Sequence, residues 1–235
     1  MSRFTVPNCQ NCPSRKGPLL GCCPMEELEF IATNKSSQFY QKGQAIYQEG
    51  AVAQGLHCVH QGKIKVTKTS GDHKEQIMRL VRHGDVLGFR ALVMGDRYSN
   101  SAVALEDCVV CFVPRPDFLR LVQSNLQFAN SLMQLLASSL GEAEERMMQL
   151  AYKPVRERLA KALLLLQRTF AEEPNAAQFS ISLSREDVAS LVGTAKETVS
   201  RLLSDFKDAG IIATKGSQIT ILDSARLLSI ATLYD

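Results

Sequence analysis

No apolar run in this 235-residue chain reaches the ~18 residues that would mark a membrane-spanning helix, so no membrane partner is expected. The opening stretch, Met-Ser-Arg-Phe-Thr-Val-Pro-Asn-Cys9, has no continuous apolar core, so no secretory leader is predicted and the expected compartment is the cytoplasm. Thiols stay reduced there, and seven cysteines then point to metal or redox chemistry rather than to a disulfide framework. Charge of one sign is also scarce. The net charge is +3, and from Lys153 onward 11 Lys+Arg stand against 10 Asp+Glu. So small a balance neither predicts nor excludes nucleic acid, and the placement of single side chains has to decide. No His lies near Cys9-x-x-Cys12 and no strand precedes it, which argues against a thiol–redox enzyme; no catalytic residue is predicted. The remaining composition is that of an ordinary globular protein, long enough for two modest domains.

What is present begins with two cysteine clusters. Cys9, Cys12, Cys22 and Cys23 lie in an N-terminal stretch (1–24) without helical or strand period, which could not fold alone and is expected to be either disordered or tied down by something bound. Cys108 and Cys111 lie in the apolar run Asp107-Cys-Val-Val-Cys-Phe-Val113. Cys58 and Cys108 read as small core hydrophobes. His57, His60, His73 and His83 sit in turn-rich stretches and are expected to be exposed.

The spacing of apolar residues divides the rest. Met25, Leu28 and Ile31 predict a short helix over Met25–Thr33. Glycines at 43, 50, 62, 71, 84, 88 and 95 punctuate short apolar segments over 38–116, the pattern of a small antiparallel barrel or roll. From Asp117 the period changes. Met133, Leu136, Leu140, Ala143, Met147 and Leu150 follow a 3-4-3-4-3 spacing, an a/d seam on a helix predicted over 117–151 and roughly 50 Å long. A narrow seam on so long a helix predicts pairing with a second copy; packing on its own roll is the alternative. Pro154 interrupts, Val155–Phe170 predicts a helix with Leu159, Leu163 and Leu166 inward, and 171–178 reads as a polar loop.

Ser184-Arg-Glu-Asp187 is a capping-box pattern opening a short helix with Val188, Leu191 and Val192 as its apolar face. Gly193-Thr194 turns the chain into a second helix over 195–208, ended by Gly210. Val199, Leu202, Leu203 and Phe206 form its core face at i, i+3, i+4, i+7. The opposite face carries Glu197, Ser200, Arg201 and Ser204 at the end that helix-turn-helix proteins place in the major groove. Arg201 can donate twice to guanine, and Glu197 can accept from cytosine. Lys196, Lys207 and Lys215 suit phosphates, and Ser184 and Thr198 complete the predicted DNA-contacting set. Glu197 closing a box with Thr194, and Arg201 pairing with Asp205, are the alternatives for those two side chains. Ile211–Ile221 reads as a strand–turn–strand wing.

The order roll, long helix, winged helix, with Gln41-Lys-Gly-Gln44, Gly84-Asp-Val-Leu-Gly-Phe89 and Glu197-Thr-Val-Ser-Arg201, resembles the CRP/FNR family of bacterial transcription regulators over nearly the whole chain. The resemblance implies an α+β chain: segment 1–24, a cyclic-nucleotide-binding-type β-roll at 25–116, a dimerisation helix at 117–152 and a winged helix-turn-helix at 153–235. Its partners would be double-stranded DNA, a second copy of the chain and RNA polymerase. The Glu-x-x-Ser-Arg arrangement resembles the branch named for fumarate and nitrate reduction, which implies TGA-containing inverted repeats. Where the family's nucleotide cassette carries Gly-Glu and Arg-Ser-Ala, this chain has Gly88-Phe89 and Asn100-Ser101-Ala102, so cyclic AMP is not expected. In that branch four cysteines hold an oxygen- or nitric-oxide-labile [4Fe–4S] cluster. The match carries this role to Cys9, Cys12 and Cys111, with Cys22 or Cys23 as the third N-terminal ligand across a longer loop than the branch usually has. Four thiolates also suit zinc, and Cys9-x-x-Cys12 suits a thiol/disulfide switch. An unknown small-molecule effector in the altered nucleotide pocket is a further alternative.

Overall fold

The computed structural model describes residues 7–9, 12–17, 19–72, 74–171 and 179–232; His73 and the predicted loop from 172 to 178 lie outside them. The chain forms two compact units, one of residues 1–68 with 79–142 and the other of 69–78 with 143–235.

The first unit is built on a β-roll. Its strands are β1 (Ser36–Tyr40), β2 (Ala45–Tyr47), β3 (Gly55–Gln61), β4 (Ile64–Thr69), β5 (Glu75–Val81), β6 (Val86–Leu87), β7 (Ser101–Ala104) and β8 (Cys108–Pro114). They form two four-stranded sheets, in the orders β1-β8-β3-β6 and β2-β7-β4-β5. Strand β3 is buried from Gly55 to Val59, on both faces. Its antiparallel register with β8 sets Cys58 opposite Cys111 and Val59 opposite Val110, and then Gln61 opposite Val109. His60 is therefore an extra residue, and a bulge of this kind re-aims a side chain. The β3–β4 turn needs Gly62: its φ is 101°, and a Cβ there would meet Cys108 Sγ at 2.4 Å.

Helix α1 (Met25–Asn34) carries Glu26 and Glu27 in its first turn, where the helix dipole favours carboxylates, and buries Leu28 and Ile31. Met25, expected on the same face, is exposed. A short helix α2 (Phe89–Met94), which the glycine punctuation concealed, sits between Gly88 and Gly95, both in the left-handed region. The N-terminal stretch departs from expectation. It is tied down by the roll itself: a 3-10 turn at Pro13–Lys16 leads into Leu19, Leu20 and Cys23, all buried, and the buried Ser14 hydroxyl donates to Val59 O at 3.3 Å.

The predicted single helix from 117 to 151 is two helices, α3 (Arg115–Ser124) and α4 (Leu126–Tyr152). Asn125 separates them in an extended conformation. Its Oδ1 accepts from Phe128 N at 3.0 Å, capping α4, while its Nδ2 donates to Glu27 Oε2 at 2.7 Å. An Asn side chain that can cap a new helix competes with the old one, which is the physical reason for the break. The 27 residues of α4 give a length of about 40 Å.

The second unit contains α5 (Val155–Phe170), β9 (Phe179–Ser182), α6 (Arg185–Val192), α7 (Lys196–Asp208), β10 (Ile212–Lys215), β11 (Gln218–Ile221) and α8 (Ser224–Ala231). Its core holds Leu159, Leu163, Leu166, Val188, Val199, Leu203 and Phe206, each at most 2% exposed. Strands β10 and β11 are the predicted wing. They are joined by β9 in the order β10-β11-β9, a strand the apolar spacing does not predict. Nor does it predict α8, capped by Asp223 Oδ1 accepting from Arg226 N at 2.9 Å. No helix among the described residues is long and apolar enough to cross a membrane.

Candidate nucleic-acid interface and thiol site

The reading element is assembled by local signals. Ser184 Oγ accepts from Asp187 N at 2.9 Å and donates to Asp187 Oδ2 at 2.6 Å, so α6 is capped as its sequence predicts. The Ser184 hydroxyl, also in the predicted DNA-contacting set, is thus engaged inside its own cap. Gly193, with φ of 74°, ends α6 and turns the chain into α7. Helix α7 buries Val199, Leu202, Leu203 and Phe206 and leaves Lys196, Glu197, Arg201, Ser204 and Lys207 exposed, with Thr198 and Ser200 half-buried. Ser200 Oγ donates to Lys196 O and Ser204 Oγ to Ser200 O, which leaves their lone pairs free to accept. Lys215, on β10, is exposed.

Both alternatives for the base-reading pair are absent from the structure. The residue preceding α7 is Ala195, with no side-chain cap, so Glu197 is not closing a box with Thr194. Asp205 instead meets Arg156 at 3.9 Å, and the Arg156 guanidinium lies 5.0 Å from the centre of the Phe206 ring. Neither Glu197 nor Arg201 has a partner among the described residues. Two polar side chains of opposite donor character stand free on the exposed face of a helix whose other face is core. Lys196 makes one weak surface pair, 3.7 Å from Glu186.

The seam of α4 is laid out in the open. Met133 is 58% exposed, Leu140 61%, Met147 63% and Leu150 40%. Ala143 is exposed as well, and only Leu136 leans on the roll. The side chains of α4 that enter the core are Phe128 and Leu132, off the seam.

The thiols fall into separate neighbourhoods. Cys12 is buried, with Sγ 3.4 Å from Nδ1 of the bulged His60. Cys111 is 4% exposed, with Sγ 3.3 Å from Ser37 Oγ and 3.8 Å from Lys35 Nζ. Lys35 also donates to Pro7 O, two residues before Cys9. Burial pushes the Cys9 thiol up from its ordinary value; Lys35 opposes this, and Cys111 and Cys12 reinforce it. Cys9 and Cys111 thus share one ammonium, and Cys12 is an electrostatic neighbour of Cys9. Cys22 and Cys23 belong to the entry of α1. Cys22 Sγ donates to Leu19 O at 3.2 Å, and burial, with Cys22 and Glu27 beside it, pushes Cys23 up to about 12. Cys108 is a structural plug. Its Sγ donates to Glu106 O at 3.1 Å and Lys63 O at 3.4 Å, and burial pushes its thiol up to about 11. Among the described residues no three His, Cys, Asp or Glu side chains stand in ready-made ligating geometry. The soft donor type of Cys9, Cys12 and Cys111 nonetheless fits an iron–sulfur centre or zinc.

Of the histidines expected to be exposed, two differ among the described residues. His83 is exposed and His60 half-buried, but His57 is 7% exposed, because β3 is covered on both faces. Its ring lies against Phe112 and Tyr47, and Tyr47 stacks on Tyr98 at 3.9 Å. Tyr98 Oη donates to Gly55 O, so His57 Nε2–H donates to Tyr98 at 3.3 Å and Nδ1 has no partner. Burial lowers the His57 pKa to about 4. Gly88 meets this aromatic group, Phe89 is buried, and Asn100 Oδ1 accepts from the Tyr47 hydroxyl at 3.1 Å. Aromatic rings and an amide therefore stand at Phe89 and Asn100, where the resemblance to the family's nucleotide cassette implies a carboxylate and a guanidinium.

A β-roll followed by a long helix and a winged helix-turn-helix with an open recognition face defines a DNA-binding transcription regulator. Residues 37–125 match the cyclic nucleotide-binding domain and residues 157–230 the Crp-like helix-turn-helix domain. The chain belongs to the CRP/FNR family. It is 30% identical over 208 residues to the fumarate and nitrate reduction regulatory protein of Vibrio cholerae, covering 88% of this chain and 82% of that one. The protein of the same name from Escherichia coli K12 is 29% identical over the same lengths. Among solved structures, FixK2 from Bradyrhizobium japonicum superposes with a TM-score of 0.75 at 30% identity, covering 83% of this chain and 96% of that chain. A CRP/FNR-family regulator from Thermus thermophilus shares the fold, with a TM-score of 0.71 at 24% identity over 84% of this chain and 98% of that one.

Proposed function

We propose that the protein is a homodimeric, cytoplasmic transcription regulator that reads TGA-containing inverted repeats and is controlled by an oxygen- or nitric-oxide-labile iron–sulfur centre. The observation that carries the sensor part is the convergence of Cys9 and Cys111 on Lys35, with Cys12 beside Cys9. The free Arg201 and Glu197 on α7 support the DNA part, and the open seam Met133–Leu150 on α4 supports the dimer. A bound centre would supply an oxygen-labile crosslink between the N-terminal segment and β8. The chain's own residues do the rest. Lys35 holds Pro7 O beside Cys111, the seam sets two copies of α7 one DNA turn apart, and Arg201 with Glu197 reads the base edges. RNA polymerase is the partner such a regulator would recruit.

Protein purified without air should be brown and carry iron and sulfide. It should shift a TGA-repeat duplex and lose that shift on exposure to air. A colourless protein that binds the duplex equally with and without air refutes the sensor reading and leaves the DNA reading intact. Zinc in place of iron is read by metal analysis, and disulfide switching by reversal with dithiothreitol.

A further inference from the structure

We infer that the fourth thiolate of this centre is Cys58, on the middle of strand β3, and that Cys22 and Cys23 stay outside it. The ligand set is then Cys9, Cys12, Cys58 and Cys111. This rests on the sensor reading above and assigns the ligands of that same site.

The register carries the inference. Cys58 and Cys111 are directly opposed across β3 and β8, and opposed residues of an antiparallel pair project to the same side with Cα atoms about 4.5–5.5 Å apart. Cys12 reaches the same place from the other direction, with its Sγ on His60, two residues along β3 from Cys58. The bulge that makes His60 an extra residue turns it toward Cys12, and the Ser14 bond to Val59 O pins the following turn to the same strand. The electrostatic neighbours of Cys58, strongest first, are Cys111, Cys12, Cys9 and Lys35. Those of Cys23 are Cys22 and Glu27. Two thiols come from a rigid sheet and two from the segment laid over it.

Charge and protons agree with this grouping. A buried free thiol is inert and carries its proton. On loading, each of the four S–H groups gives its proton to solvent as an Fe–S bond forms, with ferrous and ferric iron and sulfide supplied from outside. Four thiolates concentrate negative charge, and the Lys35 ammonium, 3.8 Å from Cys111 Sγ, offsets part of it. Cys23 has the Glu27 carboxylate beside it instead, which opposes ionisation. Glu27 is already committed, since it accepts from Asn125.

The test is anaerobic reconstitution of the full chain with iron and sulfide. Bound metal and the thiolate-to-iron absorption are measured for wild type, Cys58→Ser, Cys108→Ser and the Cys22→Ser/Cys23→Ser double variant. Wild type, the double variant and Cys108→Ser should each bind about four iron and four sulfide per protomer. Cys58→Ser should lose the absorption and most of the iron. If Cys58→Ser does not fold, full loading of both the double variant and Cys108→Ser still assigns the fourth ligand to Cys58. Loss of iron in the double variant, or full loading in Cys58→Ser, overturns the ligand set and leaves the sensor reading standing. A wild-type chain that takes up no iron refutes the sensor reading instead.

Discussion

Replacing Arg201 with Ala should weaken and blur DNA recognition without touching the fold. Arg201 is exposed and has no partner among the described residues, so its removal opens no cavity and strands no buried group. Surface changes of this kind stay within about 0.5 kcal/mol of stability, and the melting temperature should barely move. At the DNA, a bidentate arginine–guanine contact contributes about 1–3 kcal/mol of discrimination against a wrong base. A dimer presents it twice, so the expected loss at a perfect inverted repeat is about 2–6 kcal/mol, or about 30-fold to 10⁴-fold. The variant should also lose its preference at the guanine of each TGA half-site, and a duplex changed at that base should bind wild type and variant alike. Fluorescence-anisotropy titrations at fixed salt, with the cognate duplex and the two-base variant, measure both effects. Lys215→Ala is the internal comparison. A phosphate contact carries no sequence information, so that variant should bind all duplexes less well and lower the salt slope by about 2 per dimer. An Arg201→Ala protein that weakens on every duplex equally, as Lys215→Ala does, would refute the assignment of Arg201 to a base.

Two further perturbations probe the roll and the seam. Leu140→Lys places a charge on a side chain that is 61% exposed in one copy, so the subunit should fold; losing two buried leucines should weaken the dimer by at least about 3 kcal/mol, or about 100-fold, in sedimentation equilibrium. A dimer as tight as wild type would mean that α4 does not pair through this seam. His57 is held neutral with a pKa of about 4, below its unfolded value near 6.5, so the unfolded chain binds more protons between those values and stability falls as pH drops through that window. The loss should approach about 3 kcal/mol near pH 4 in urea melts, and His57→Phe should remove this component; identical pH profiles for both proteins would show that His57 does not titrate on unfolding.

How much of this was legible in the sequence depends on how local each signal is. Helices α6 and α7 were, because Ser184-x-x-Asp187, Gly193 and the 3-4-7 spacing of Val199, Leu202, Leu203 and Phe206 all act within one or two turns. The break at Asn125 was not. The chain carries no Pro or Gly there, and what separates α3 from α4 is an amide that caps one helix while binding Glu27, 98 residues away. The burial of the N-terminal stretch was equally hidden, since turns have no period and Leu19, Leu20 and Cys23 find their core only in the folded roll. The role of Cys58 illustrates the same limit. As a residue in an apolar strand it reads as packing, and it becomes a candidate ligand only through its register with Cys111.

That same Asn125 fixes something the heptad spacing leaves open, the rotational phase of α4. A helix advances about 100° per residue, so the point where it starts decides which way every later side chain points. Here the start is indexed by a side chain bonded at one end to the first turn of α4 and at the other to α1. Deleting a single residue between Asn125 and Met133 would turn Met133, Leu136 and Leu140 by about 100° relative to the roll, with composition and length nearly unchanged. One amide thus acts as the zero mark of the proposed pairing seam.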